Sequence, residues 1–201
     1  MKSNKRLIGL TGGIATGKTT VSNYLAEKYH LPILDADVYA REALAADSPI
    51  LQTVFERYGD KIKSGDRLNR TALGDLVFNN LSEKQWLESQ IHPFVRDRFN
   101  QELQRTPNNT VVLAIPLLFE AKLTQIVTEI WVVICDRSRQ ISRLQQRNGL
   151  TLSQAQARID SQLPLSQKAA LADIAIDNNA DLQHLYVQVD LAIKNSREAN
   201  L

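Results

Sequence analysis

The residues best suited to chemistry lie in one short run near the start of the chain. This run fits the pattern G-x-x-x-x-G-K-[ST] and directly follows the apolar run Leu7 to Leu10. Its members are Gly12, Gly13, Ile14, Ala15, Thr16, Gly17, Lys18 and Thr19. In such a run glycines let the backbone wrap around a polyphosphate, the lysine reaches the outer phosphates and the threonine hydroxyl ligates Mg²⁺. A helix opening near Gly17 would add its positive dipole end, so the pattern predicts a phosphate-binding loop rather than a chance glycine-rich turn.

Two carboxylates come next along the chain. Asp35 and Asp37 follow the short run Pro32, Ile33, Leu34, which places them at the C-terminal end of a strand. Ligands bind at that edge of open α/β sheets. The two side chains could ligate Mg²⁺ or act as a general base toward an attacking hydroxyl. The alternative is that one of them caps a helix beginning near Val38.

Three further features each have a functional and a structural interpretation. Asp136 ends the apolar run IWVVIC, so it fits either a metal carboxylate or a helix N-cap. Arg139, Arg143 and Arg147 recur every four residues along one helix face, as cations for phosphoryl transfer or as a solvated surface. His92, beside Pro93, is either a substrate contact or a structural histidine.

The elements that must position these residues are short apolar runs alternating with longer helical patterns. The runs Leu7 to Leu10, Ile33 to Leu34, Val111 to Ile115, Ile130 to Ile134 and Ile174 to Ile176 predict strands. Their continuous hydrophobicity is typical of strands covered on both faces, so a five-stranded parallel sheet flanked by helices is expected.

The long interval between Asp37 and Thr110 contains no comparable strand pattern. It carries helical patterns over Val38 to Ala46, Pro49 to Tyr58 behind a Ser48 cap, Thr71 to Phe78, and Ser82 to Leu103 with Pro93 inside. A gap of that length predicts a helical insertion rather than a bare loop. Further on, the arginine-bearing helix should end at Gly149, and a second helix should run from Thr151 through Ile159 until Leu163 and Pro164 break the pattern.

Composition restricts the class of protein. At 201 residues and 43% apolar content, one domain with insertions is expected. The net charge of +2, from 24 basic and 22 acidic residues, gives no bulk electrostatic argument for nucleic acid. The first apolar run stops at Gly9, too short for a signal-peptide core or a membrane span, so a cytoplasmic location is expected. The single cysteine, Cys135, lies in an apolar run and should pack as a small hydrophobe.

Among phosphate-loop proteins, the sequence favours a small kinase over a GTPase. No glycine has an aspartate three positions earlier, and no Asn-Lys-x-Asp motif follows the loop. A small kinase needs an acceptor-binding insertion and an arginine-rich lid, and this chain has candidates for both.

Several motifs together resemble the dephospho-CoA kinase family over nearly the whole chain. They are GLTGGIATGKTT at 9–20, DADVYAR at 35–41, LNR at 68–70, HP at 92–93, PLLFE at 116–120, RLQQRNG at 143–149 and the pair Asn178, Asn179. The resemblance implies ATP-dependent phosphorylation of the ribose 3′-hydroxyl of dephospho-CoA, with Mg²⁺, and no nucleic-acid or membrane partner. It also implies a P-loop kinase three-layer sandwich, with a core at 1–37 and 96–201, a lid at about 138–165, and a helical acceptor domain at 38–95.

The resemblance also assigns site residues. Asp37 would be the base, Lys18, Arg143 and Arg147 would be catalytic cations, and Thr19 would ligate magnesium. ATP would be held by residues 12–20, including Thr20, and by Asn178 and Asn179 near the adenine. Apart from the resemblance, the acceptor's pyrophosphate would need cations, which Arg41 or Arg70 could supply, and Asp35 and His92 are further expected acceptor contacts. The sequence indicates no nucleophilic side chain. Direct in-line transfer of the γ-phosphoryl group to the acceptor hydroxyl, without a phosphoenzyme, is therefore expected.

Two departures from the family pattern stand out. Ala15 and Thr16 occupy positions where the family usually has Gly and Ser, and Ala180 replaces a frequent Gly. Alanine at position 15 is tolerable only if its φ is below zero.

Two rival functions stay open. One is a kinase for another hydroxylated acceptor such as a nucleoside. The other is a nucleotide-gated protein that binds nucleic acid through the arginine stripe, formed by Arg139, Arg143 and Arg147.

Overall fold

The computed structural model describes residues 5–78 and 80–198, so the ends of the predicted core, 1–4 and 199–201, lie outside the described residues. The chain forms two compact units. The first comprises Met1–Leu34 with Pro107–Leu201, and the second comprises Asp35–Thr106. The predicted insertion at 38–95 falls within the second unit.

A five-stranded sheet forms the centre of the first unit. The strands of the described chain are β1 (Arg6–Gly12), β2 (Ile33–Asp35), β3 (Lys63–Ser64), β4 (Arg67–Leu68), β5 (Thr110–Ala114), β6 (Glu129–Ile134) and β7 (Ile174–Asp177). The sheet order is β2-β5-β1-β6-β7, with Leu10 of β1 paired in parallel to Ala114 and to Trp131. The predicted five-stranded parallel sheet flanked by helices is confirmed.

Helices account for most of the remaining chain. They are α1 (Lys18–Tyr29), α2 (Ala36–Glu42), α3 (Pro49–Tyr58), α4 (Arg70–Phe78), α5 (Leu81–Arg105), α6 (Arg137–Asn148), α7 (Leu152–Asp160), α8 (Leu165–Ala170) and α9 (Leu182–Glu198). In the part of the chain that the structure describes, none of these helices combines the length and the apolar composition needed to cross a membrane.

The core of the first unit joins the sheet to α1 and α9. Trp131 and Ile8 from the strands, Val21 and Leu25 from α1, and Leu185 from α9 are fully buried in one cluster. Burying side chains of this size contributes about 1.5–3 kcal/mol each. This core fixes β1 and α1, the two elements that flank the phosphate-loop pattern.

The second unit is helical, as predicted, with one difference. Ser48 caps α3 by accepting from the Ile50 N–H at 3.2 Å, and Pro49 occupies its first turn. A short antiparallel hairpin, β3–β4, forms around Gly65, where no strand was expected, and each of its strands has two residues. Its brevity explains the difference, because two residues leave no periodic pattern. Val54, Ile62, Leu73 and Leu87 form the core of this unit.

Candidate nucleotide-binding site

The phosphate-loop pattern folds as a loop between a strand and a helix. β1 ends at Gly12, and α1 begins at Lys18. Gly17 precedes the helix with φ of 106°, a left-handed conformation that favours glycine, and it has no side chain to cap the first amides. With no acidic residue in its first turn and no side-chain cap, α1 leaves its positive end available to an anion.

Side chains from elsewhere in the first unit bind the carbonyls of this loop. Gln140 Nε2 donates to the Ile14 carbonyl at 2.7 Å, and Arg143 Nη1 donates to the Ala15 and Thr16 carbonyls at 3.1 Å each. The buried Asn178 Nδ2 donates to the Thr16 carbonyl at 2.7 Å. These bonds satisfy three successive carbonyls, so the loop backbone is fixed by side chains of α6 and of the segment after β7.

Ala15 has φ of 60°, so the condition set for tolerating alanine at this position, a φ below zero, is not met. The left-handed conformation costs a non-glycine residue roughly 1–2 kcal/mol. The loop geometry therefore requires the conformation that glycine adopts freely, and the bonds to the neighbouring carbonyls hold alanine in it.

A second glutamine, Gln162, binds the backbone N–H of Ile14. The Ile14 N–H donates to Gln162 Oε1 at 2.9 Å. Gln162 also lines a cavity of about 400 Å³ together with Gly13, Gln140, Cys135 and the start of α8. Sequence reasoning missed both glutamines. Gln140 had one available signal, because it lies three residues before Arg143 and so shares its helix face.

The three arginines of the stripe on α6 lie in different environments. Arg143 is half-buried against the phosphate loop, whereas Arg139 and Arg147 are exposed. Arg147 Nε donates to Asn148 Oδ1 at 3.0 Å. A further arginine, Arg137, forms a two-pronged ion pair with Asp160 at 2.8 and 2.9 Å, which joins α6 to α7.

Asp136 and the asparagine pair meet at the ends of β6 and β7. Asp136 occupies the N-cap position of α6, but its side chain makes no capping bond there. Its N–H donates to Asn179 Oδ1 at 2.8 Å. The neighbouring Cys135 is buried, and burial raises the pKa of its thiol although Arg143 acts to lower it. The packing role predicted for Cys135 is confirmed.

In the second unit, Asp35 and Asp37 occupy the start of α2. The helix begins at Ala36, two residues earlier than predicted, so the two carboxylates do not share an extended segment. Asp35 is the N-cap, and its Oδ1 accepts from the Asp37 N–H at 2.8 Å. The capping alternative therefore applies to Asp35, while Asp37 lies in the first helical turn.

The predicted acceptor residues are partly brought together within this unit. Arg70 Nη2 lies 3.4 Å from the Arg41 carbonyl and 3.5 Å from the Leu44 carbonyl, at the C-terminal end of α2. His92 is half-buried within α5.

A cavity of about 470 Å³ in the second unit is lined by none of the predicted acceptor residues. Its lining residues are Arg57, Tyr58, Lys61, Leu76, Asn80 and Glu83. Burial and a hydrogen bond to Glu83 raise the pKa of Tyr58 to about 12. Tyr58 therefore stays protonated and donates to Glu83 at neutral pH.

The donor chemistry of the loop fits a magnesium–polyphosphate ligand. Thr19 is exposed on the first turn of α1, so its hydroxyl is accessible, and Mg²⁺ prefers oxygen ligands while retaining several waters. Within the residues described, no group of three or more His, Cys, Asp or Glu side chains is arranged to hold a metal. Mg²⁺ held by Thr19 would keep several waters and could take phosphate oxygens as further ligands.

The family model described as dephospho-CoA kinase matches residues 6–184. A curated dephospho-CoA kinase from Trichormus variabilis is 57% identical over 190 residues, which cover 94% of this chain and 97% of the relative. Among solved structures, a protein from Thermus thermophilus superposes with a TM-score of 0.85 at 29% identity, covering 95% of this chain and 97% of the other. A dephospho-CoA kinase from Campylobacter jejuni gives a TM-score of 0.70 at 27% identity, covering 98% of this chain and all of the other.

The parallel sheet and its phosphate loop define a P-loop kinase fold. Within that class, the match over residues 6–184 decides the family. The chain belongs to the dephospho-CoA kinase family, which confirms the resemblance drawn from its motifs.

Proposed function

We propose that this protein transfers the γ-phosphoryl group of ATP to the ribose 3′-hydroxyl of dephospho-CoA, giving coenzyme A and ADP in the last step of coenzyme A synthesis. The observation that carries this proposal is the fixed phosphate loop at 12–19 within a chain that matches the family model over residues 6–184. A cytoplasmic location stays a prediction.

The phosphate loop would hold ATP. Lys18 supplies a point charge at the outer phosphates, and Thr19 ligates Mg²⁺, which supplies charge neutralisation when bound. Asn178 supports the loop through its bond to the Thr16 carbonyl, and Asn179 supports the end of β6 through the Asp136 N–H. Both asparagines lie directly after β7, which is consistent with the predicted adenine contact at this segment.

Asp37 is the proposed general base, and transfer proceeds directly to the acceptor oxygen. Asp35 serves as the N-cap of α2, a structural role, and Asp37 is the carboxylate that the family pattern assigns to proton removal. Arg143 and Arg147 would stabilise charge on the transferred group, although the bonds of Arg143 to the loop add a supporting role.

Acceptor binding would belong to the second unit. Arg70 donates to the Arg41 carbonyl at the C-terminal end of α2, and these two arginines are the proposed cations for the acceptor's pyrophosphate. Asp35 and His92 remain predicted acceptor contacts.

The decisive experiment follows ADP release with ATP, Mg²⁺ and a panel of hydroxyl acceptors. Dephospho-CoA should be phosphorylated at the 3′ position, and adenosine should be a poor acceptor although it presents the same hydroxyl. Lys18→Ala should remain folded but lose transfer, because the loop loses its charge at the outer phosphates. Efficient phosphorylation of a nucleoside without any coenzyme A product would contradict the proposed acceptor, while normal turnover by Lys18→Ala would contradict the mechanism.

A further inference from the structure

An ion pair between a buried lysine and a partly exposed glutamate lies close to the phosphate loop and has no part in the proposed chemistry. Lys168 of α8 is fully buried, and its Nζ lies 2.7 Å from Glu120 Oε1 in the turn after β5. The contact is an ion pair rather than a hydrogen bond, and within the described residues neither Lys168 Nζ nor Glu120 Oε2 has a hydrogen-bond partner. Desolvating such a pair usually costs more than it contributes to stability, so its presence requires another explanation.

The pair is anchored to the sheet on one side. The segment that leads to Glu120 is tied to β1, because the Ile115 N–H donates to the Leu10 carbonyl at 3.0 Å. Thr11 Oγ1 also donates to the Pro116 carbonyl at 3.0 Å. Glu120 is therefore attached to the strand that leads directly into the phosphate loop.

On the other side, the pair fixes the chain next to Gln162. Glu120 Oε1 accepts from the Leu163 N–H at 3.0 Å, in addition to its contact with Lys168. One carboxylate oxygen therefore holds both α8 and the residue that follows Gln162. That oxygen therefore helps to fix the backbone beside Gln162, whose own N–H donates to the Ile159 carbonyl at 3.2 Å.

Gln162 completes the connection to the loop. Its Oε1 accepts from the Ile14 N–H at 2.9 Å, while Gln140 binds the Ile14 carbonyl. The backbone of Ile14 is thereby held at both its N–H and its carbonyl, directly before Ala15 with its φ of 60°. A strained residue persists only where its surroundings fix it, so loss of either bond should let the loop relax.

We propose that the Glu120–Lys168 pair is a positioning device that acts through Gln162 to hold the phosphate loop in the conformation that binds ATP. Glu120, Lys168 and Gln162 are positioning residues that act through the Ile14 peptide. The inference rests on the proposed function in one respect, namely that ATP is the ligand of the loop.

The test measures binding of ATP with Mg²⁺, and of inorganic triphosphate, by calorimetry on the full chain. Gln162→Ala and Lys168→Met should each raise the Kd for both ligands about tenfold, which corresponds to about 1.4 kcal/mol. The double variant should be no worse than either single variant, because the two residues act in series. Lys168→Arg keeps the charge and should restore binding. Gln167→Met, an exposed neighbour on α8, is the matched control and should bind normally.

Other outcomes are equally informative. If Lys168→Met unfolds, the neutral combination Glu120→Gln with Lys168→Met removes both charges of the pair and should fold while still binding ATP about tenfold more weakly. Unchanged Kd values with a lowered melting temperature, or additive effects in the double variant, would mean that the pair only attaches α8 and would overturn the inference. Failure of the unsubstituted protein to bind ATP would instead contradict the proposed function.

Discussion

Ala15 combines an unfavourable backbone conformation with a central place in the phosphate loop. Its φ of 60° is one that alanine adopts at a cost, and its carbonyl accepts from Arg143. Ala15→Gly should therefore raise the free energy of unfolding by roughly 0.5–1 kcal/mol, because relief of the left-handed strain exceeds the added entropy of the unfolded chain. Urea unfolding followed by tryptophan fluorescence measures this change.

A matched substitution separates local strain from a general effect of glycine. Ala157 is exposed within α7, where the helical conformation suits alanine. Ala157→Gly should lower the free energy of unfolding by about 1 kcal/mol. If Ala15→Gly lowers the free energy of unfolding as Ala157→Gly does, the left-handed conformation of Ala15 is not strained.

The two aspartates at the start of α2 should respond differently to the same isosteric change. Asp37→Asn should lower kcat by roughly 10²–10⁴, because the base toward the acceptor hydroxyl is lost. Asp35→Asn should have the smaller effect, since asparagine is an equally good N-cap and preserves the helix start. Steady-state kinetics with saturating ATP compare them, and a larger loss for Asp35→Asn would reverse the assignment.

Among the elements, helix α6 brings two kinds of arginine to one face. Arg143 binds two loop carbonyls, so Arg143→Ala should weaken ATP binding about tenfold as well as lowering kcat. Arg147 is exposed, so Arg147→Ala should lower kcat by roughly 10²-fold or more while ATP binding changes little. Calorimetry and steady-state rates separate the two effects.

Arg139→Ala provides the control on the same face. Arg139 is exposed and lies outside the motif at 143–149, so its loss should be the mildest of the three. Equal losses for all three variants would indicate a general charge effect, and an effect of Arg147→Ala on KM alone would indicate simple ground-state binding.

Elements with strong local patterns could be predicted from the sequence. The strands β1, β5 and β6 are continuous apolar runs because both faces are covered, and Ser48 with Pro49 indicates the start of α3. Helix α9 was not predicted, although Leu185, Val189 and Ile193 recur at four-residue spacing and are buried against α1 and the sheet. The start of α2 was placed two residues late, because the cap of Asp35 is visible only in its bond to the Asp37 N–H.

In the site, too, the residues with a local sequence pattern could be predicted, whereas the contacts made by distant side chains could not. The loop residues and Lys18 were predictable because their spacing alone defines an anion site. The supporting contacts were not, since Gln140, Gln162 and Asn178 reach the loop across more than a hundred residues of sequence. Glu120 lies within a quoted motif, but its partner Lys168 carries no pattern that a single sequence reveals.

At the scale of the whole molecule, the first unit supplies the phosphate loop and its supports, and the second carries Asp37, Arg41 and Arg70. The stability of the first unit therefore governs nucleotide binding directly. One polar cluster bears on that stability, because it joins α1, which begins at the loop, to α9. Asp190 of α9 accepts from Lys28 at 2.8 Å, from Tyr24 at 2.9 Å and from Tyr29 at 2.8 Å.

The cluster makes stability depend on pH in a defined direction. Burial acts to raise the pKa of Asp190, but the hydrogen bonds from Lys28, Tyr29 and Tyr24 outweigh it, so the pKa lies below its ordinary value of 3.8. The bond to Asp190 raises the pKa of Lys28 above its ordinary value of 10.5. The contribution of Asp190 is therefore complete above pH 3.8 and lost as pH falls through its lowered pKa, whereas that of Lys28 is complete below pH 10.5.

Asp190→Asn should lower the melting temperature at pH 7, and the difference from the unsubstituted protein should shrink as pH is lowered below 3.8. Asp160→Asn is the matched control, because its pKa is also lowered, by hydrogen bonding to Arg137, but its side chain is 62% exposed against 26% for Asp190. Solvent and salt screen such an exposed pair, so its effect at pH 7 should be smaller and should diminish further at high salt. A difference for Asp190→Asn that stays constant from pH 7 to pH 3 would show that the carboxylate charge contributes nothing and that the tyrosine hydrogen bonds alone join α1 to α9.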